Sequence, residues 1–211
     1  MTPKQTYYSQ TAHKAIQALK KRNMDGRYYE TKEEALAKVL EMIPENSLVS
    51  WGGSQSLIET GILASLRAGN YRLLDRDAAT TPEELGQCFR DAFSADYYLM
   101  SSNAITMDGK LINIDGTCNR LAALLYGPKN VIIVAGMNKI VLDEESGILR
   151  ARNVAAPMNA MRLQCSTPCA SRGLCYNCTE EECLCAQMVI TRMSKIKNRI
   201  RLVLVGEELG F

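Results

Sequence analysis

SSNAITMDGKLINIDGTCNRLAALLYGPKNVIIVAGMNKIV (101–141) decides the fold. Its first two residues close DYYLMSS (96–102), a strand by its aromatic and apolar run. ITMDGKLINID (105–115) alternates about Asp108-Gly109, the signal of a hairpin. A helix over 117–125 then leads into NVIIVAG (130–136), the most apolar strand of the chain. Strand, hairpin, helix and buried strand in that order are the grammar of an α/β domain.

The same grammar extends in both directions. Upstream, SLVSW (47–51) runs as a short buried strand into Gly52-Gly53-Ser54, a helix follows over about 55–68, and YRLLD (71–75) is the next strand. Thr81-Pro82-Glu83-Glu84 opens a helix with an N-cap and a proline at the first position. At the start, residues 9–22 form a helix with Ala12, Ala15, Ile16 and Leu19 on one face, and 23–26 read as a turn. A second helix fits 31–43, with Thr31 and Glu34 as a capping box and Pro44 as its stop. Downstream, 142–163 reads as helix broken near Pro157, and MVITRM (188–193) and RIRLVLVG (199–206) as strands. The alternation predicts an open, mostly parallel sheet with helices on both faces. The whole of 1–211 reads as one domain, with a compositional break only at 164–186.

Composition narrows the function. At 46% hydrophobic and 23% charged residues the chain is an ordinary globular protein. A net charge of +2 gives no global attraction to nucleic acid or to an anionic membrane. No apolar run of membrane-spanning length and no signal-peptide pattern is present, so the expected location is the cytoplasm. The basic run Lys195, Lys197, Arg199 and Arg201 reads as one solvated strand face. The one histidine, His13, reads as a surface residue, which argues against a histidine base.

Six of the eight cysteines stand at 165, 169, 175, 178, 183 and 185. In a reducing compartment such crowding reads as ligation rather than disulfide bonding. Thiolates suit zinc or iron–sulfur centres, and the pair Cys175/Cys178 reaches one centre from a tight turn at Gly173. Zinc favours two short pairs, here 165/169 with 175/178, whereas iron–sulfur sites tolerate irregular spacing. A 4Fe–4S cluster is preferred, with zinc as the alternative and metal-free thiols as the third reading. Cys88 reads as a packing residue on a helix.

Gly52-Gly53-Ser54, Asp108-Gly109 and Asp115-Gly116-Thr117 follow strands or a hairpin, and the first and third open helices. At the carboxyl ends of strands, helix N-termini offer N–H groups to anions. Ser54 and Thr117 can thus bind a phosphate or carboxylate, or act only as caps. Taken with these turns, the run 101–141 resembles the lactate-utilisation, or LUD, domain family. So do GGSQSLIETGI (52–62), APMNAMRL (156–163), TPCASRGLCYNC (167–178) and VLVGEELGF (203–211). The resemblance is to a short subgroup ending in cysteines. It implies a fold like that of ribose-5-phosphate isomerase, glucosamine-phosphate deaminase and CoA transferases, and a part in lactate or organic-acid oxidation beside iron–sulfur oxidoreductase subunits. The subgroup's ligand pattern falls on Cys169, Cys175, Cys178 and Cys185, which leaves Cys165 and Cys183 as extras. Cys118 stands where that family more often has glycine.

The remaining candidates are polar groups at strand ends. Asn103 can hydrogen-bond a ligand carbonyl or simply form a turn. Asp108 and Asp115 are candidate acids or bases, though Asp108 first of all makes a turn. Arg120, beside Asn119 at a helix start, can hold a carboxylate bidentately, and Lys139 can neutralise an anion. Glu59 can pair with Lys139 or act as a base. The ligand so described is a small anionic organic acid or phosphate; the enzyme alternative is an isomerase or CoA-transferase type of activity with a structural zinc. Self-association into a homo-oligomer stays open.

Overall fold

The computed structural model describes residues 1–211. Six strands form a wholly parallel sheet: β1 (Asp25–Tyr29), β2 (Leu48–Trp51), β3 (Arg72–Leu74), β4 (Tyr97–Met100), β7 (Asn130–Gly136) and β10 (Ile200–Val205), in the order β1-β10-β7-β4-β2-β3. The expected open α/β architecture is therefore present. Strand β7 lies inside the sheet, and Val131 to Ala135 are all wholly buried, as its unbroken apolar run requires.

Successive residues point to opposite faces, so each central strand feeds two cores. Helix α1 (Pro3–Lys21) and α6 (Asn119–Tyr126) cover one face, over Ile133, Ala135, Leu202 and Leu204. Helices α2 (Lys32–Glu41), α3 (Gln55–Glu59) and α4 (Ile62–Ala68) cover the other, over Ile132, Val134, Val203 and Trp51. Burying each such Val, Ile or Leu contributes about 1.5–3 kcal/mol, so these two layers carry most of the fold's stability. Helix α5 (Pro82–Asp91) is capped by the Thr81 side chain as expected. No helix is long and apolar enough to cross a membrane.

A second sheet was not legible in the alternation. Strands β5 (Ala104–Thr106), β6 (Leu111–Asp115), β8 (Ile140–Val141) and β9 (Gln187–Thr191) form it in the order β8-β5-β6-β9. The hairpin read at Asp108-Gly109 is its centre, and β9 pairs antiparallel with β6. A small core, Ala104, Ile112, Ile114, Ala151 and Ala156, seals this sheet against α7 (Glu144–Arg150) and α8 (Ala156–Arg162). Between these helices Ala151–Ala155 forms a π-helical turn, so the break expected near Pro157 is a widening of one continuous helix. The cysteine-rich segment contributes only the short α9 (Pro168–Arg172).

Three local readings are corrected. Residues 23–26 were read as a turn, but Asp25 already begins β1, because Arg27, Tyr28 and Tyr29 pair with β10. The helix read over 55–68 is two helices, since Gly61 has φ +74 and interrupts the hydrogen-bonded ladder. Arg199 was read as a solvated residue, but it is buried and donates to the carbonyls of Ala123, Leu124 and Pro128. A cation there satisfies the C-terminal carbonyls of α6 and complements its dipole. Arg199→Met removes the donor from the Leu124 and Pro128 carbonyls, while the Ala123 carbonyl keeps the Gly127 amide. It should destabilise the fold by about 2–4 kcal/mol in urea denaturation.

Candidate functional site

The chain runs outward through β2 and β3, then returns to place β4 beside β2. That reversal is a switch point, where open α/β sheets leave a crevice at the carboxyl ends of their strands. A cleft of about 490 Å³ opens there. Ser101 and Asn103 after β4, Gly53 and Ser54 after β2, and Asp115, Gly116 and Thr117 after β6 line it, with Asn119, Arg120 and Lys139. The sequence candidates thus converge, with three exceptions, Gly52, Asp108 and Glu59. Gly52 does not face the cleft: a Cβ there would lie 2.9 Å from Cγ and Cδ of Arg120, so glycine makes room for the arginine stem. Asp108 stands apart at the hairpin tip, paired with Arg22 at 2.8 Å and Lys110 at 3.2 Å.

Arg120 is not a free fork. Its Nη1 donates to Asn113 Oδ1 (2.8 Å) and to the Ser101 carbonyl (3.3 Å). Its Nη2 donates to the Ile114 carbonyl (2.6 Å) and Asn103 Oδ1 (3.4 Å), and Nε lies 3.5 Å from Asp115 Oδ2. Four of its five N–H groups donate to protein acceptors and Nε faces the Asp115 carboxylate, so this side chain braces the cleft and has no free pair of donors to grip a ligand carboxylate bidentately. Asn103 Oδ1 likewise accepts from the Ile114 amide at 2.9 Å. Ser54 caps α3, and Thr117 donates to Asn119 Oδ1. Cys118, at φ +64, takes the left-handed position that begins α6, where glycine is the residue of least strain.

Lys139 is only 4% exposed. Its Nζ lies 3.0 Å from both Ser56 Oγ and Ser101 Oγ. Burial first, then the nearby guanidinium groups of Arg150 and Arg120, pushes its pKa down to about 7, against partial opposition from Glu59. Glu59 is itself engaged with the Gly210 amide at 2.7 Å. The cations that face the cleft with donors to spare are Arg76 and Arg162, which the sequence did not single out. Arg76 stacks over Phe89, and Arg162 leans on Asn159. Arg76 follows a strand end in the sequence, a weak signal; Arg162 gives none.

Five of the six clustered cysteines, 169, 175, 178, 183 and 185, line a second cavity of about 200 Å³. Of the two cysteines read as extras, Cys165 does not line it and Cys183 does. Burial, then the thiols of Cys183, Cys175 and Cys169, pushes Cys185 up to about 12. Cys175 Sγ accepts from Arg152 Nη2 at 3.3 Å and from the Asn177 amide at 3.4 Å. The donor chemistry fits a thiophilic centre, although no three Cys, His, Asp or Glu side chains converge at ion-holding distance. Between Leu163 and Ala186 only Thr167 is buried. The two cavities share Ala156, Cys183 and Leu184 as a common wall.

The LUD domain family profile matches residues 12–205. The chain belongs to the LUD domain family. That family is related to lactate-utilisation proteins. A DUF162 family protein from Deinococcus radiodurans has a similar structure, with 11% identity, TM-score 0.54, and coverage of 94% of this chain and 97% of that one. Ribose 5 phosphate isomerase A from Neisseria gonorrhoeae is 17% identical over 53% of each chain, with TM-score 0.37. No curated protein matches.

Two outcomes follow for this LUD domain. Arg120→Met strands the Asp115 carboxylate and should cost about 3–5 kcal/mol of stability, with part recovered in the Arg120→Met/Asp115→Asn double variant; chemical denaturation reads both. Lys139 binds a proton more weakly folded than unfolded, so its contribution makes stability rise with pH between about 7 and 10.5. The slope is at most ~1.4 kcal/mol per pH unit, and the difference between wild type and Lys139→Met across that window measures it.

Proposed function

We propose that this LUD domain binds a small anionic organic acid, such as lactate or a related 2-hydroxy acid, and serves as a redox component of its utilisation. The adjoining cavity would hold a 4Fe–4S cluster through Cys169, Cys175, Cys178 and Cys185, and iron–sulfur oxidoreductase subunits would be its partners. The observation that carries this reading is the common wall: Ala156, Cys183 and Leu184 separate the polar cleft from the ring of thiols by one layer of residues.

The parts have separate tasks. Arg76 and Arg162 offer guanidinium groups to the acid's carboxylate, which Arg120 is too fully engaged to hold. Asn103 and Asn119 offer amides to its remaining oxygens. On the other side of the wall, Arg152 and Asn177 direct N–H groups at Cys175 Sγ, the kind of hydrogen bond that tunes a ligating sulfur. A bound cluster supplies one-electron transfer.

Protein purified without oxygen should be brown, with iron and sulfide each near four per chain. Colourless protein with stoichiometric zinc would overturn the redox role. Lactate should raise the melting temperature of the wild type, as any ligand selective for the folded state does, and should fail to do so in Arg76→Gln/Arg162→Gln.

A further inference from the structure

We propose that Ser101 is a nucleophile with Lys139 as its general base, and that the cleft catalyses acyl transfer from a small carboxylic ester through an acyl group held on Ser101. The inference rests on the cleft as a binding site but uses none of the cysteines.

The hydrogen-bond directions carry it. Ser56 has one hydroxyl proton, and the Leu209 carbonyl accepts it at 3.2 Å. Ser56 Oγ therefore receives from Lys139 Nζ, 3.0 Å away. Ser101 Oγ has no carbonyl or carboxylate acceptor; its neighbours are Lys139 Nζ at 3.0 Å and Ser56 Oγ at 3.4 Å. The nearer acceptor for the Ser101 proton is thus the amine, provided the amine has a lone pair. Its environment favours that neutral form: the residue is buried, and the charged groups facing it are Arg150 from α7, Arg120 from α6 and Glu59 from α3, two cations against one anion. A lysine desolvated beside cations is an established way to obtain a base or nucleophile near neutral pH.

Access then separates the two hydroxyls. Ser56 is wholly buried, whereas Ser101 lines the cleft. His13, the sole histidine, is exposed on α1 and bonds the Ser9 carbonyl, so it cannot serve as the base here. Serine–lysine pairs accomplish acyl transfer on unrelated folds without histidine.

The step balances within these groups. Ser101 Oγ bonds to the acyl carbon while its proton passes to Lys139 Nζ. The ester C–O bond breaks, and the ammonium returns that proton to the departing alkoxide. Water, deprotonated by the same amine, then releases the acid and restores Ser101. Arg76 and Arg162 on the cleft suit an acyl group that itself carries a carboxylate.

The full chain, treated with a fluorophosphonate and separately with p-nitrophenyl acetate, should acquire a single adduct that peptide mass spectrometry assigns to Ser101. The labelling rate should rise with pH to a plateau, with its midpoint near 7, where the Lys139 ammonium loses its proton. Ser101→Ala should abolish the adduct, and Lys139→Met should slow it by about 100-fold or more, the usual contribution of a general base. If Lys139→Met does not fold, the wild-type pH profile decides the matter. No adduct on folded wild type, or a rate indifferent to pH between about 6 and about 9, overturns the proposal. Metal content and lactate-induced stabilisation move neither readout, so failure here is separable from failure of the redox reading.

Discussion

Five N–H groups on one side chain, that of Arg120, meet Ser101, Asn103, Asn113, Ile114 and Asp115. The first follows β4 of the large sheet; the others belong to the approach to β5 and to β6 of the small one. The guanidinium is a polar joint between two sheets that also share an apolar core, where Ile105 and Leu111 of the small sheet pack with Met100, Val131 and Ile133 of the large one. Its planar fork meets acceptors in several directions at once, which a lysine's single ammonium does not reproduce. Gly52 exists to let the stem of this side chain pass, and Asn113 is buried to receive its head. The crevice at the strand ends keeps its shape because this joint is rigid.

Above that joint, electrostatics sets the character of the cleft. Arg150 is held close to Lys139 by carbonyl partners alone, and Arg120 by carbonyl and amide oxygens with a single carboxylate, Asp115, 3.5 Å from Nε. Their charge is therefore only partly cancelled locally, and it falls on the amine. The same arrangement that braces the wall prepares an unprotonated nitrogen near neutral pH. Structural and chemical roles are thus linked through one positive field.

The alternation of strands and helices was legible because each element carries its own periodicity: NVIIVAG, the Asp108-Gly109 hairpin and the Thr81-Pro82 start all announced themselves locally. Long-range pairing did not. DGRYY looks like a turn until β10 lies beside it, and MVIT does not announce that it joins β6. The site divides in the same way. Turns at 53–54 and 115–117 were found because ligands gather at strand ends. Arg120 and Lys139 were found as cations, but their partners decide their roles, and partners are set by tertiary structure. Ser56 and Ser101 had no signal beyond being serines beside strand ends. Arg199 sat in a basic run whose other members gave no hint that one of them turns inward.

The place of β10 has a kinetic meaning. It is the last strand in the sequence, yet it lies between β7 and β1, and β1 pairs with nothing else in the large sheet. Asp25 is in register with Arg201, so nearly the whole chain must be gathered before the first strand can dock. Such a topology has high contact order, and loop-closure entropy is lost before native contacts repay it. During synthesis the early helix α1 and strand β1 wait as an unpaired edge. The Leu209 carbonyl that receives the Ser56 proton arrives only after β10, so the cleft is completed at the end of folding, not at its nucleus.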